Sequence, residues 1–496
     1  MRVETIIIGL ALLISLAGCG AQQAEFVNRD EIDELIPEAQ THVRKVLDGA
    51  GIEGETGHFG KPTNMVLWER LPVHYHGAYG AFAETQIDEG ADEVSTLNVS
   101  LLEQNLPVEP GQTLAWISGK YAGQASTAVA ALNEAGNQIE IDPGLSVPPD
   151  AGDRFAIAPG AVISHGRKLY AEHCQHCHGV TGDGNGPTAK YLNPRPRDYR
   201  LGKFKFTSTG SSVKVTRNDL SQIVENGIPG TYMPSFKLLT EEENHAIVEY
   251  VRWLSMRGEI EFKLIQALRN DYSKEAVDSA VASARESDSK LSSSEARQNI
   301  VAEMDEYLTG DWVDEFNDDT KFLADQWKQA EDPSALVIPK VARVADTPES
   351  RARGRALYLS AKAKCATCHG DAGLGDGSQT LAVQKNPTTN TDYDVPGLFD
   401  DWGNPLKPRN LATGIYRGGR RPLDLYRRVH AGISGTPMPA FGTVLKDEEI
   451  WDIVNYVMHI PFESRDQRPG DGAGESVPAS TEVATVAPDE STDIAN

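Results

Sequence analysis

Two five-residue segments of this 496-residue chain combine cysteine and histidine in the same spacing. Residues 174–178 read CQHCH and residues 365–369 read CATCH, so each is a C-x-x-C-H motif. Two residues between the cysteines bring both thiols under one face of a porphyrin, where each thiol can add to a vinyl group. The histidine that follows can then offer a ring nitrogen to the iron. The motifs therefore predict covalent attachment of haem c at two places in the chain.

A C-x-x-C segment without the histidine would also fit a structural disulfide or half of a zinc site. The chain has five cysteines and the two motifs use four of them. Neither half of the chain therefore has the further cysteines that a zinc tetrad needs. The histidine after both motifs favours haem over these two alternatives.

Two methionines occupy equivalent positions after the motifs and are candidate sixth ligands. Met233 lies in GTYMPSF (230–236), 55 residues after His178, and Met438 lies in GTPMPAF (435–441), 69 residues after His369. A thioether on a Met-Pro turn is a soft ligand that favours Fe(II) and raises the reduction potential. Core packing is the alternative role, but it does not explain why two of only seven methionines share this segment.

The elements around the motifs also occur twice and in the same order. A predicted helix precedes each motif, and a glycine-rich loop follows it at 179–186 and 373–377. A second helix then ends at Gly227 or Gly432, as helices commonly do. After the Met-Pro turn, Thr240 and Glu243 predict a capping box, and the closing helices contain IVEYV (247–251) and IVNYV (453–457). The chain therefore contains an internal duplication of a unit of roughly 100 residues.

With these elements together, each copy resembles a class I cytochrome c domain, and the chain resembles an exported di-haem c-type cytochrome. The resemblance covers about 210 of the 496 residues. It implies four thioether sites, two proximal histidines and two distal methionines: Cys174, Cys177, Cys365, Cys368, His178, His369, Met233 and Met438. Similar domains place an arginine against a haem propionate, which makes Arg197 and Arg409 candidates, since each follows a proline at matching places. A solvated surface arginine is the alternative for both.

The predicted fold is mainly α, with two class I cytochrome c helical domains joined by a helical connector, and a small β-rich N-terminal module. We expect the first cytochrome domain at 161–258, the acidic connector at 259–346 and the second domain at 347–461. Before them come a signal peptide (1–19), a helix with a glycine- and aromatic-rich segment (20–81) and the β-rich module (82–160), in which 127–134 is a candidate helix. A disordered tail follows at 462–496. The second copy departs from the first by an insertion that includes residues 392–401.

The N-terminus predicts export and a lipid anchor. An apolar run at 5–17 is too short to span a bilayer but fits the hydrophobic region of a signal peptide. The next segment, LAGC, ends at Cys19 and resembles a bacterial lipobox, in which the cysteine is lipidated. An ordinary signal peptide is the alternative. We therefore predict a protein held by lipid at the periplasmic face of a bacterial membrane.

The formal net charge of −25 argues against a nucleic-acid partner. We expect redox proteins as partners, no small-molecule substrate, and a function as a relay of single electrons through two His/Met haems. A di-haem peroxidase is one alternative, but it needs an iron with an open distal position, and both copies offer a methionine. A cytochrome subunit of a larger membrane oxidoreductase or oxidase complex is another alternative, which shares the chemistry and differs in its partners.

Overall fold

The protein is mainly helical, which confirms the predicted fold class. The computed structural model describes residues 27–47, 79–84, 94–101, 113–116, 120–121, 125–131, 138–150, 153–157, 161–386 and 390–463. The predicted signal peptide with Cys19 and most of the predicted tail lie outside these residues. Among the described residues, no helix combines the length and the apolar character that crossing a membrane requires.

The N-terminal module is a closed barrel of six antiparallel strands in the order β1-β2-β5-β4-β3-β6. The strands are β1 (Tyr79–Glu84), β2 (Val94–Leu101), β3 (Thr113–Trp116), β4 (Ala125–Ala131), β5 (Gln138–Leu145) and β6 (Arg154–Ile157). The candidate helix at 127–134 was wrong, because β4 covers most of it. Thr127 pairs with Thr113 on one side and with Asp142 on the other, and this two-sided pairing outweighs the helix propensity of the alanines.

The first copy of the repeated unit is built around two crossing helices, α2 (Ala161–His173) and α5 (Glu241–Tyr272). They approach closely at Gly166, where an added Cβ would lie only 2.7 Å from the carbonyl carbon of Ala246. The predicted capping box at Thr240 starts α5. Between them lie α3 (Gln175–His178), a 3-10 helix (Ala189–Tyr191) and α4 (Arg217–Asn226).

Helix α5 runs on through the predicted boundary at 258 and ends only at Tyr272. The connector then continues with α6 (Lys274–Ser287), α7 (Ser293–Thr309), α8 (Asp311–Gln329) and a 3-10 helix (Pro333–Ala335). Its buried Trp327 donates a hydrogen bond from Nε1 to Glu259 Oε2 at 2.8 Å. One apolar core joins the connector, the first unit and the N-terminal helices, a 3-10 helix (Asp30–Glu34) and α1 (Pro37–Leu47). The connector is thus packed structure rather than a free linker.

The second copy has its own apolar core and repeats the helix crossing. Its helices are α9 (Pro348–Leu359), α10 (Ala366–His369), α11 (Pro422–Ala431) and α12 (Asp447–His459), with 3-10 helices Ser378–Leu381, Leu411–Thr413 and Ile460–Phe462. Gly354 in α9 faces the backbone of Asp452 in α12, as Gly166 faces Ala246 in the first copy. The insertion contains a two-stranded hairpin, β7 (Leu398–Phe399) with β8 (Pro405–Leu406).

Candidate haem-binding clefts

The first cleft lies where α2 gives way to the C-x-x-C-H motif, and its cavity volume is about 270 Å³. Cys174, Cys177 and His178 all line it. Helix α3 ends at Gly179, whose φ of 76° is in the left-handed region that glycine tolerates best. The chain then turns back, and the N–H of Gly184 donates to the carbonyl of His178 at 2.9 Å. This turn fixes the backbone directly after the motif.

The second cleft has the same construction and a cavity volume of about 230 Å³. Cys365, Cys368 and His369 line it. The chain again turns through a left-handed glycine, Gly370, and the N–H of Gly375 donates to the carbonyl of His369 at 2.8 Å. The duplication seen in the sequence is therefore also a duplication of backbone geometry.

Each motif histidine is oriented by a backbone carbonyl. The Nδ1 atom of His178 lies 3.4 Å from the carbonyl oxygen of Arg197, and that of His369 lies 3.1 Å from the carbonyl oxygen of Arg409. An Nδ1–H that donates to this carbonyl leaves Nε2 as the nitrogen able to bind a metal. Burial lowers the pKa of His178 to about 4 and also lowers the pKa of His369, so both rings are neutral at pH 7.

The two predicted methionines line the clefts of their own units, Met233 the first and Met438 the second. The same turn supports each of them. The Met233 carbonyl accepts from the N–H of Ile228 at 3.2 Å, and its N–H donates to Thr231 Oγ1 at 3.1 Å. In the second unit the corresponding bonds to Met438 are 3.2 and 3.3 Å. Each cleft is therefore lined by the motif histidine and the methionine of the same unit.

Three tyrosines near the motifs were missed in the sequence. Tyr170 donates from its hydroxyl to the carbonyl of Gly179, and Tyr358 donates to that of Gly370, both at 2.8 Å. Tyr199 stacks on the His178 ring with centroids 4.8 Å apart. A signal for the first two was present, because a Leu-Tyr pair precedes both motifs.

The cleft walls fit a large, flat, mostly apolar group with acidic substituents. Both are lined mainly by aliphatic and aromatic side chains, among them Leu220, Val224, Phe236 and Val251 in the first cleft and Leu425, Val429, Phe441 and Val457 in the second. In the first cleft both terminal nitrogens of Arg197 are buried without a hydrogen-bond partner. A buried guanidinium of this kind suits a carboxylate, which a haem propionate supplies. The residues present therefore fit haem.

Arg197 and Arg409 each line the cleft of their own unit and also reach the other unit. The Arg197 guanidinium carbon lies 3.9 Å from the ring centroid of Trp402 in the insertion of the second unit. An added Cβ on Gly230, in the methionine turn of the first unit, would lie 2.9 Å from Arg409 Nη2. Neither side chain is a simple solvated surface arginine.

The insertion of the second unit makes further contacts with the first. Lys203 of the first unit pairs with Asp401 at 2.5 Å. Within the second unit, the N–H of Asp401 donates to the carbonyl of Gly435 at 3.3 Å. Three side chains line both clefts: Lys205 and Phe206 from the first unit and Arg417 from the second. The two clefts therefore share a wall.

The alternatives of a disulfide or a zinc site find no support in the described residues. None of the four motif cysteines is paired in a disulfide. Burial raises the pKa of Cys174 to about 12 and that of Cys365 to about 11, so these thiols stay protonated at neutral pH. In the part of the chain that the structure describes, no group of three or more His, Cys, Asp or Glu side chains could hold a metal ion.

Comparison with known families assigns both units to the same class. The family model for cytochrome c matches residues 163–255, and the model for cytochrome c oxidase, cbb3-type, subunit III matches residues 349–457. The two units are cytochrome c-type domains, which supports a c-type cytochrome with more than one haem-binding domain and with covalently bound haem c.

Comparison with individual proteins says less about the class of this chain than the family models do. No curated protein matches the chain significantly. Among solved structures, a chain of the reducing HAO-like protein complex of Kuenenia stuttgartiensis is 24% identical, with a TM-score of 0.39, and the match covers 60% of this chain and 95% of that one.

Proposed function

We propose that this protein relays single electrons between redox protein partners through two haems, each with one histidine and one methionine ligand. The observation that carries the proposal is that an oriented imidazole and a methionine thioether line the same apolar cleft, and that this occurs twice. When bound, a haem iron in such a ligand set supplies a one-electron couple. No bond of a substrate is made or broken in this function.

In the proposal the residues of each domain have distinct tasks. Cys174 and Cys177 would attach the first haem, with His178 and Met233 as its axial ligands; the second set is Cys365, Cys368, His369 and Met438. The carbonyls of Arg197 and Arg409 hold the imidazoles in the orientation that presents Nε2. The apolar walls exclude water, and this, together with a thioether ligand, favours the less charged Fe(II) form.

A second candidate is a cytochrome subunit of a larger membrane oxidoreductase or oxidase complex. The match of residues 349–457 to a family named for a subunit of cytochrome c oxidase favours it. The haem chemistry would be the same, and only the partners would differ. Purification from membranes under mild conditions distinguishes the two: a stable complex with other subunits supports the second candidate, and a chain that purifies alone supports the first.

Substituting each methionine tests the ligand sets. Met233→His and Met438→His should each lower the midpoint potential of one haem and spare the other, because an imidazole stabilises Fe(II) less than a thioether does. A fall of ~100 mV corresponds to roughly 2.3 kcal/mol for one electron. Met256→Leu is the matched control, since Met256 is fully buried in α5 and lines neither cleft.

The same samples test the peroxidase alternative. The wild-type protein should retain two covalent haems by mass spectrometry, bind carbon monoxide slowly or not at all, and show negligible peroxidase turnover. Rapid carbon monoxide binding at one iron, or a Met438→His variant with both potentials unchanged, would contradict the ligand assignment and favour the enzyme.

We also propose that Cys19 carries a lipid that holds the exported protein at the periplasmic face of a membrane. Its position after a short apolar run supports this. Cys19→Ser should release the protein from membranes or block its processing. A variant that is cleaved normally and stays in the membrane fraction would rule the anchor out.

A further inference from the structure

The wall between the two clefts is built by one short segment from each domain. Phe206 comes from the first domain and Arg417 from the second, and both line both clefts. Arg428 ties the two segments together, because its guanidinium donates to the carbonyl of Thr207 at 3.0 Å and to that of Gly418 at 2.9 Å. The guanidinium of Arg428 also lies 5.0 Å from the Phe206 ring centroid. The wall is therefore a fixed part of the structure.

Two cations of this wall, Lys205 and Arg417, line both clefts, and Arg417 also contacts the methionine turn of the other domain. Its Nη2 lies 3.4 Å from the carbonyl oxygen of Gly230, and its Nε is buried without a hydrogen-bond partner. Among the described residues, no carboxylate forms an ion pair with it, although the chain as a whole carries a net charge of −25. Burial lowers the pKa of Arg417, and the nearby charge of Arg409 lowers it further, yet a guanidinium remains protonated in proteins.

We propose that Arg417 is a shared tuning residue whose positive charge raises the reduction potentials of both haems together. Oxidation adds one positive charge to a haem, and a cation held nearby makes that addition less favourable. Because Arg417 lines both clefts, one side chain acts on both couples. This inference rests on the proposed function, since it requires a haem in each cleft.

The test is a redox titration of the full-length, haem-loaded protein with Arg417→Gln. We expect the equilibrium constant for reduction to fall about tenfold at both haems, which is ~59 mV for one electron. Arg417→Lys keeps the charge and should keep both potentials close to those of the wild type. Arg420→Gln is the matched control, because Arg420 is exposed, lies three residues away and lines neither cleft.

The oxidised spectrum of each variant shows whether the axial ligands are intact. If the spectrum of Arg417→Gln is intact, a fall in reduction potential at only one haem or at neither overturns the proposal. If Arg417→Gln disturbs the spectrum, the reduction potentials of Arg417→Lys test the proposal instead. Unchanged potentials support the role of the charge, and a clear fall in potential at both haems overturns it. Failure of the proposed function has a different result, rapid carbon monoxide binding by the wild type, and both potentials can be titrated in that case too.

Discussion

Replacing Gly354 with alanine tests the helix crossing that supports the second haem-binding cleft. The added Cβ would lie 2.5 Å from the carbonyl carbon of Asp452 and 2.9 Å from the Cβ of Tyr456. Real Cβ atoms essentially never approach other atoms within 3.0 Å, so α9 and α12 must separate. Overpacking of this kind typically lowers the free energy of unfolding by ~1–3 kcal/mol. We expect the upper end of that range, because the clash is with backbone that cannot rotate away.

Thermal unfolding of the haem-loaded protein, followed at a haem absorbance band, measures the effect. For a unit of this size, each kcal/mol lowers the midpoint by ~2–8 °C. Only the transition of the second domain should move, because that domain has its own core. Gly166→Ala should instead lower the unfolding midpoint of the first domain. Gly210→Ala is the control, since the nearest atom to its added Cβ is 3.9 Å away. Unfolding of Gly354→Ala at the wild-type midpoint would refute the close crossing.

Two further substitutions test buried polar groups. Burial lowers the pKa of His42 to about 4 from its ordinary 6.5. Between pH 6.5 and pH 4 the folded state therefore binds fewer protons than the unfolded state. The free energy of unfolding falls as the pH falls through this range. His42→Gln should reduce that loss by ~2–3 kcal/mol in urea titrations at pH 7 and pH 4. Equal pH dependence in wild type and His42→Gln would contradict this. Tyr358→Phe removes the hydrogen bond to the carbonyl of Gly370 and should cost ~1 kcal/mol in the same assay, and a variant as stable as the wild type would show that the bond contributes nothing.

The parts of the site that the sequence could predict are those with short, fixed spacing. Covalent attachment needs two cysteines and a histidine within five residues, so the motifs are visible without any fold. The methionines were found because the turn around them is repeated. Thr240 and Glu243 were found because a capping box is a local interaction, and the structure confirms it.

The parts that the sequence could not predict depend on packing between distant segments. Gly258 was the predicted end of the first domain, and in the structure it lies within α5, where it packs against the backbone of Arg200. The carbonyl of Arg197 orients His178 across 19 residues, a role that its side chain does not reveal. Arg417 and Phe206 carry no motif, and only the contact between the two domains brings them into one wall.

The insertion in the second domain makes the two copies of the duplicated unit non-equivalent. Two identical copies could exchange places along the chain without consequence, but only the second carries Trp402 and Asp401, and only the first presents Arg197 and Lys203 to them. A chain built from two first copies would lack Trp402 and Asp401. A chain built from two second copies would have these two residues but would lack Arg197 and Lys203, which they contact. The difference between the two copies is therefore part of what the sequence encodes, because only two unlike copies can form these contacts.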